Sequence, residues 1–468
     1  MIVPTSARSS RGGDGVPVPT HWRSALPHLK HPLPPDISPD GDGSGGALKI
    51  NLPLELVRQS VQAREFWPIP EEVVDAYRRY RPTPLWRADR LERALDSAVP
   101  IYVKYEGGNI SGSHKLNTAL AQAYYYKRAG VREVVTGTGA GQWGTALAAA
   151  CALFGLRCTV FMVDTSMARK PYRSVLMRLL GAEVVASPST LTRIGSETTA
   201  ASANSLSLAI GEAVEYATAH DDIAFCIGSG ETYSILHQSV IGVEAGEQLT
   251  ALGADVDAVV ACVGAGSNFG GLALPFYCEA AAGGVAPPRL IAAESSSTPK
   301  LSRGVYAYDK TDATGLGPLE AMYTIGSDYA IPDEHAAGLR YHGAAKLISA
   351  LRHAGEIEAA AVSQAYALRC GAALAVTESV LAAPESGHAL AAVAELVAGR
   401  IGDAAPRRGV LVCVSGHGYL DLGAYDEASN TALPDLAPDD DALSAALSGL
   451  TRMPADGSAL PTHELTLP

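Results

Sequence analysis

The chain has 468 residues, a formal net charge of −13, 47% hydrophobic residues and 18% charged residues, the profile of a folded, enzyme-sized protein with a large core. The acidic balance excludes a surface that tracks nucleic-acid phosphates, and no apolar run approaches the roughly 18 residues of a membrane span. Seven scattered cysteines without a Cys-x-x-Cys pair, and twelve histidines without metal-ligand spacing, predict reduced thiols, a cytoplasmic setting and no side-chain metal site.

Residues 1–50 are rich in Pro, Gly and Ser and close on "SPDGDGSGGALK", which predicts an N-terminal extension and linker. The first fifteen residues hold no apolar stretch of the kind a secretory signal needs. From 51 to 430 the sequence is dense. Apolar, β-branched strand candidates recur: "PIYVKYE", "REVVTG", "CTVFMV", "AEVVAS", "DAVVACVG", "RLIAAES" and "GVLVCVSG". Between them lie Ala/Leu-rich helical stretches such as "NTALAQAYYYKRAG", "RSVLMRLLG" and "HALAAVAELVAGR". Strands alternating with helices predict an α/β protein with mostly parallel sheet, whose ligands bind at the carboxyl ends of the strands. Residues 431–468 return to Pro, Asp and Ala and predict a tail without chemistry.

Three glycine turns follow strand candidates. "YEGGNISGSHKLN" places Lys115 in the first turn of a helix beside Ser111, Ser113 and His114, a setting where partial desolvation would leave an amine free to form an imine. "VVTGTGAGQWG" puts Gly139, Gly141 and Gly144 in the spacing G-x-G-x-x-G, with Asp164 twenty residues past Gly144, which satisfies a dinucleotide fingerprint. "CVGAGSNFGG" (Gly264, Ala265, Gly266, Ser267, Asn268) misses that spacing by one residue and better suits a single phosphate on backbone N–H groups at a helix start. Ser415 in "GVLVCVSGHG" ends another strand. Each turn alone is compatible with a plain strand–helix connection. Together with the lysine they point to one ligand site.

The motifs "GSHKLN", "GTGAGQWG", "CVGAGSNF", "APESGHAL" and "SGHG", in that order, resemble the tryptophan synthase β chain family, and its second, stand-alone class in particular. "PTHWRSALPHLKHPLPP", "LHQSVIGVEA" and "LRYHG" carry the same likeness, which spans roughly residues 18–425. The resemblance implies a pyridoxal-phosphate enzyme of fold type II. Its cofactor would lie between two α/β lobes with mostly parallel sheets, the smaller lobe (roughly 106–240) inserted in the larger. By motif match, Lys115 would hold the cofactor as a Schiff base and act as general acid and base, with His114 beside the phosphate. Gly264, Ala265, Gly266, Ser267 and Asn268 would cradle that phosphate, Ser415 would face the pyridine nitrogen, and Glu385 would lie near the ring. Thr138, Gly139, Ala140, Gly141 and Gln142 would then hold a substrate carboxylate rather than a dinucleotide. Both anions need the same N–H nest at a helix start. The resemblance further implies a homodimer without an obligate α subunit, acting on small molecules, and allows a monovalent cation (K+ or Na+).

The chain departs from the family at Gly137, where the β chain carries the glutamate that assists loss of the serine hydroxyl and deprotonation of indole. Losing a positioned acid/base group costs about 10²–10⁴ in rate. The expectation is therefore β-replacement: an aminoacrylate formed from L-serine or a related amino acid, then attack by a nucleophile other than indole. The alternatives are a weak tryptophan synthase, with Glu106 or Glu231 substituting for the missing carboxylate, a serine-type deaminase, or a non-catalytic cofactor-binding protein. Smaller departures are Ala265 in the phosphate loop, Ser379 and Ala382 in "TESVLAAPESGHAL", and the stretch "CIGSGETYSILHQ".

Overall fold

A computed structural model describes residues 15–37, 51–198, 206–312, 317–402 and 404–454. Its larger sheet has six strands in the order Glu358–Val362, Arg289–Ser295, Ala258–Cys262, Val410–Val414, Ile101–Tyr105 and Leu85–Arg87. All neighbours are parallel except the last pair. The smaller sheet is wholly parallel, in the order Glu183–Ser187, Arg157–Val163, Glu133–Thr138 and Ile223–Phe225. Parallel strands covered by helices on both faces read as continuous apolar runs rather than alternating ones. Ala258–Cys262 and Val410–Val414 are accordingly buried at every position.

The helices that follow these strands begin at the glycine turns. Gly141 has φ 89° and caps the helix Gln142–Phe154, and Gly266, at φ 132°, caps Ser267–Gly283. Both conformations favour glycine. Ala265 is not among the residues with positive φ, so alanine replaces glycine there without strain. Ser379 is different: it ends the helix Gln364–Glu378 in the left-handed region at φ 59°, where a side chain costs about 1–2 kcal/mol.

Two expectations about the chain ends need correction. Within the first fifty residues, 15–37 are not a linker. His21–Arg23 pairs antiparallel with Phe66–Pro68, Trp22 is fully buried, and the Tyr277 and Tyr308 hydroxyls donate to the carbonyls of His28 and Pro35 at 3.0 Å each. Burial of one tryptophan and the closing of backbone hydrogen bonds hold down a segment whose composition reads as loose. Likewise, 439–453 are not a bare tail. Asp440–Leu447 packs Leu443 and Leu447 on Ile325, and Thr451–Arg452 joins Val305–Lys310 and Leu319–Thr324 in a three-stranded antiparallel sheet. The remaining parts of those two segments, 1–14, 38–50 and 455–468, lie outside the described residues.

All seven cysteines are free, six of them buried. Among the described residues no helix is long and apolar enough to cross a membrane, and no group of His, Cys, Asp and Glu is arranged to hold a metal.

Candidate functional site

The carboxyl ends of both large sheets open onto one cavity. Of the residues singled out in the sequence, Lys115, His114, Gly137, Thr138, Gly139, Ala140, Gln142, Gly264–Asn268, Glu385 and Ser415 all line it. Gly141 lies just behind, turning the chain into its helix. Asp164 is exposed and does not line the cavity, so the dinucleotide reading lacks its ribose partner.

Lys115 stands at the N-terminus of Leu116–Arg128. Burial pushes its amine below the ordinary lysine range; Glu385 and Cys262 oppose that shift and Arg173 adds to it. His114 is held well below its usual value, by burial first and then by the charge of Lys115, and so is neutral at pH 7. The Ser415 carbonyl oxygen, 3.3 Å from His114 Nδ1, can only accept a hydrogen bond. That assigns the proton to Nδ1 and leaves Nε2 to accept from Ser267 Oγ at 3.5 Å. The Ser415 and Ser386 hydroxyls are 2.9 Å apart, and Ser415 N donates to Ser386 Oγ at 2.9 Å.

Glu385 joins the two lobes. Its Oε1 accepts from Gln142 Nε2 at 3.1 Å and from Gly338 N at 2.9 Å. Its Oε2 is buried without a hydrogen-bond partner among the described residues. A buried orphan oxygen in a cavity wall is an invitation to a ligand. The turn Gly264–Asn268 gives a second indication: a Cβ on Gly264 would strike the Gly338 carbonyl, and one on Gly266 would lie 2.6 Å from Ile348 Cγ1. Glycine there lets the turn pack against Gly338 and Ile348 at the N-terminus of a seventeen-residue helix, where an anion is favoured. A half-desolvated lysine, a neutral histidine and a glycine cradle form a donor set that fits pyridoxal phosphate.

Gly137 lies at the end of its strand. A Cβ there would fall 2.5 Å from Ile210 N and 2.6 Å from the Ala209 carbonyl carbon and oxygen. The helix Leu206–Thr218 is seated directly on this glycine, and its Leu206 and Ile210 line the adjoining cavity wall. Of the two carboxylates considered as substitutes, Glu106 is engaged elsewhere: it bonds Arg81 and Thr83 at 2.6 Å each and does not line the cavity. Glu231 does line it.

Sequence reasoning missed Glu320, Tyr341, Arg340 and Gly338, all in the wall. A signal existed for Glu320, an acid inside the otherwise apolar strand Leu319–Thr324. Nothing in the sequence linked that strand to Lys115.

The family of pyridoxal-phosphate dependent enzymes matches residues 77–416. The chain is 42% identical over 430 residues to the tryptophan synthase beta chain 2 of Thermococcus kodakarensis, covering 90% of this chain and 96% of that one. It is 47% identical over 411 residues to the tryptophan synthase beta chain of Pyrobaculum islandicum, covering 87% and 96%. Among solved structures it resembles a fungal L-serine ammonia-lyase from Rhizomucor miehei (TM-score 0.57, 18% identity) and a threonine deaminase from T.th. (TM-score 0.55, 22% identity). Each covers 75% of this chain and 98% of its own. At those identities the structural likeness speaks for the fold alone.

Proposed function

The chain belongs to the pyridoxal-phosphate-dependent enzymes of tryptophan synthase β type, and we propose that within this family it exchanges the β-substituent of L-serine, or of a relative with a better leaving group, for a nucleophile other than indole. The observation that carries this reading is Gly137. A side chain there would have to start inside the backbone of Ala209 and Ile210, and the adjoining wall is hydrocarbon from Leu206 and Ile210. The family carboxylate is therefore not merely absent; its place is filled.

Bound pyridoxal phosphate would supply the electron sink that loosens bonds at the amino acid's Cα and Cβ. This chain's residues would do the rest. The backbone N–H groups of 138–142 would orient the carboxylate, and those of 264–268, with neutral His114, would hold the phosphate. Lys115, its amine favoured in the uncharged form by burial, would anchor the cofactor and move the Cα proton. The Ser415 hydroxyl would meet the pyridine nitrogen without protonating it, which favours β-elimination and replacement over transamination. The same likeness supports a cytoplasmic homodimer that needs no α subunit, with K+ or Na+ as an accessory ion.

The test is a visible spectrum of the cofactor-loaded protein, with tryptophan formation followed after L-serine and indole are added. We expect a cofactor band that Lys115→Ala abolishes, and slow tryptophan formation that Gly137→Glu does not rescue, because the new side chain displaces the helix at a cost of about 1–3 kcal/mol. Fast tryptophan formation by the native chain, or its rescue by Gly137→Glu, would overturn the reading.

A further inference from the structure

The cavity that holds Lys115 also exposes two carboxyl groups, Glu231 at the start of the helix Thr232–Gln238 and Glu320 on the strand Leu319–Thr324. Both are half-buried. The nearby cation is Lys346, and its ammonium is already bonded to Asp36, from the N-terminal segment that packs beside Glu320 through the Ile37–Leu319 bridge. Neither Glu231 nor Glu320 has a side-chain hydrogen bond to another described residue. Lys346 is thus ion-paired with Asp36, no ion pair reaches Glu231 or Glu320 among the described residues, and both of these face the cavity. Glu385 Oε2, in the same wall, is one more carboxylate oxygen without a hydrogen-bond partner among the described residues.

We propose that Glu231 and Glu320 form the acceptor end of this site and select an amine, bound as its ammonium, as the incoming nucleophile. The proposal rests on the β-exchange reading above and names its second substrate. An ammonium brings three N–H donors and a positive charge to a patch that has acceptors and excess negative charge, whereas indole brings one N–H, a thiol one weak S–H, and neither brings a charge. The proton balance closes. The protonated member of the pair gives its proton to the departing β-hydroxyl as the Cβ–O bond breaks, and water leaves. The pair then takes a proton from the ammonium, freeing the nitrogen lone pair that forms the Cβ–N bond. The pair ends as it began, and the net reaction is serine plus ammonium to a β-amino-substituted alanine plus water. The pair thereby serves as acid and base for an ammonium seated on it, a role it does not fill for indole, which is not held there as a cation.

Burial and then the charge of Glu231 push the Glu320 carboxyl up to about 8, with Lys346 opposing and Asp36 adding. Burial also raises Glu231, against Lys346. Tyr341, Tyr233 and Tyr126 are further titratable neighbours, and Arg340, in the same cavity wall, is ion-paired with Asp333. One proton shared by the two carboxyl groups at neutral pH is the state the cycle needs.

The experiment offers the cofactor-loaded enzyme L-serine with n-butylamine and n-butanethiol in competition, and reads the ratio of the two products. Native enzyme should favour the amine, although thiols are intrinsically the better nucleophiles. Glu320→Gln and Glu231→Gln should each lower the amine-to-thiol ratio by about 10²-fold, a readout insensitive to how much enzyme is folded or loaded. The amine rate of the native enzyme should also fall as pH rises through the Glu320 range, and this limb should disappear in Glu320→Gln. A native preference for the thiol, or a ratio unchanged in both variants, overturns the proposal. Exchange of the serine α-proton with D2O in the native enzyme is measured alongside. Its absence would sink the β-exchange reading itself, whereas exchange without amine preference would sink only this inference.

Discussion

Two groups of carboxylates, one fully buried and one half-exposed along a cavity wall, behave in opposite ways in this protein. Glu244 sits in a fully buried network with Arg81 (2.9 Å) and Lys104 (2.6 Å), and Glu106 pairs with the same Arg81 at 2.6 Å. Burial alone would raise Glu244, but Arg81 and Lys104 outweigh it and hold the carboxyl down at about 2. Glu320, only half-buried, is pushed up to about 8 by burial first and then by Glu231, with Lys346 opposing and Asp36 adding. The difference is stoichiometry. Two cations match two anions in the first cluster, and one cation faces three in the second. A matched cluster serves as a fastener, while the unmatched one, under the proposed amine selection, would keep a mobile proton and room for a cation from outside.

That contrast can be broken experimentally. Glu244→Leu leaves Arg81 and Lys104 short of a partner in the interior and should cost about 3–5 kcal/mol in urea unfolding; a loss below about 1 kcal/mol would mean that the network fastens nothing. Glu320→Gln should do the reverse, and only at high pH. A carboxyl whose folded value is raised penalises folding above its unfolded value near 4.5. The penalty grows as pH rises to about 8 and is absent at low pH. The variant should therefore be more stable than the native chain by about 1–2 kcal/mol at pH 8, with no difference at pH 4, once screening by water in the cavity is allowed for. An equal gain at both pH values would show a packing effect instead. Ser379→Gly lies outside both clusters and should add about 1 kcal/mol at every pH by relieving the left-handed backbone at φ 59°. It calibrates how much of any change is simple backbone strain.

The seven strand candidates became strands because buried parallel strands carry their signal locally, as runs such as "AVVAC" and "VLVCV". That the glycine turns and Lys115 stand at helix starts was legible for the same reason, because a tight strand-to-helix turn needs glycine within a few positions; that they line one cavity is seen only in the fold. Gly137 was visible as an omission, but only the structure shows the helix Leu206–Thr218 seated on it. What escaped the sequence is long-range. Trp22 in a Pro-rich stretch and Leu443 with Leu447 near the end were each a small apolar signal inside polar surroundings, and their partners lie far away in the chain. Asp36 is brought beside the strand of Glu320 by the bridge between Ile37 and Leu319, a contact no local pattern announces.

The most direct measurement compares two rates in the native, cofactor-loaded enzyme: exchange of the serine α-proton with D2O, and formation of tryptophan from L-serine and indole. The account predicts ready exchange with tryptophan formation slower by about 10²–10⁴, the contribution of the carboxylate that Gly137 does not supply. Tryptophan formed as fast as the α-proton exchanges would contradict it.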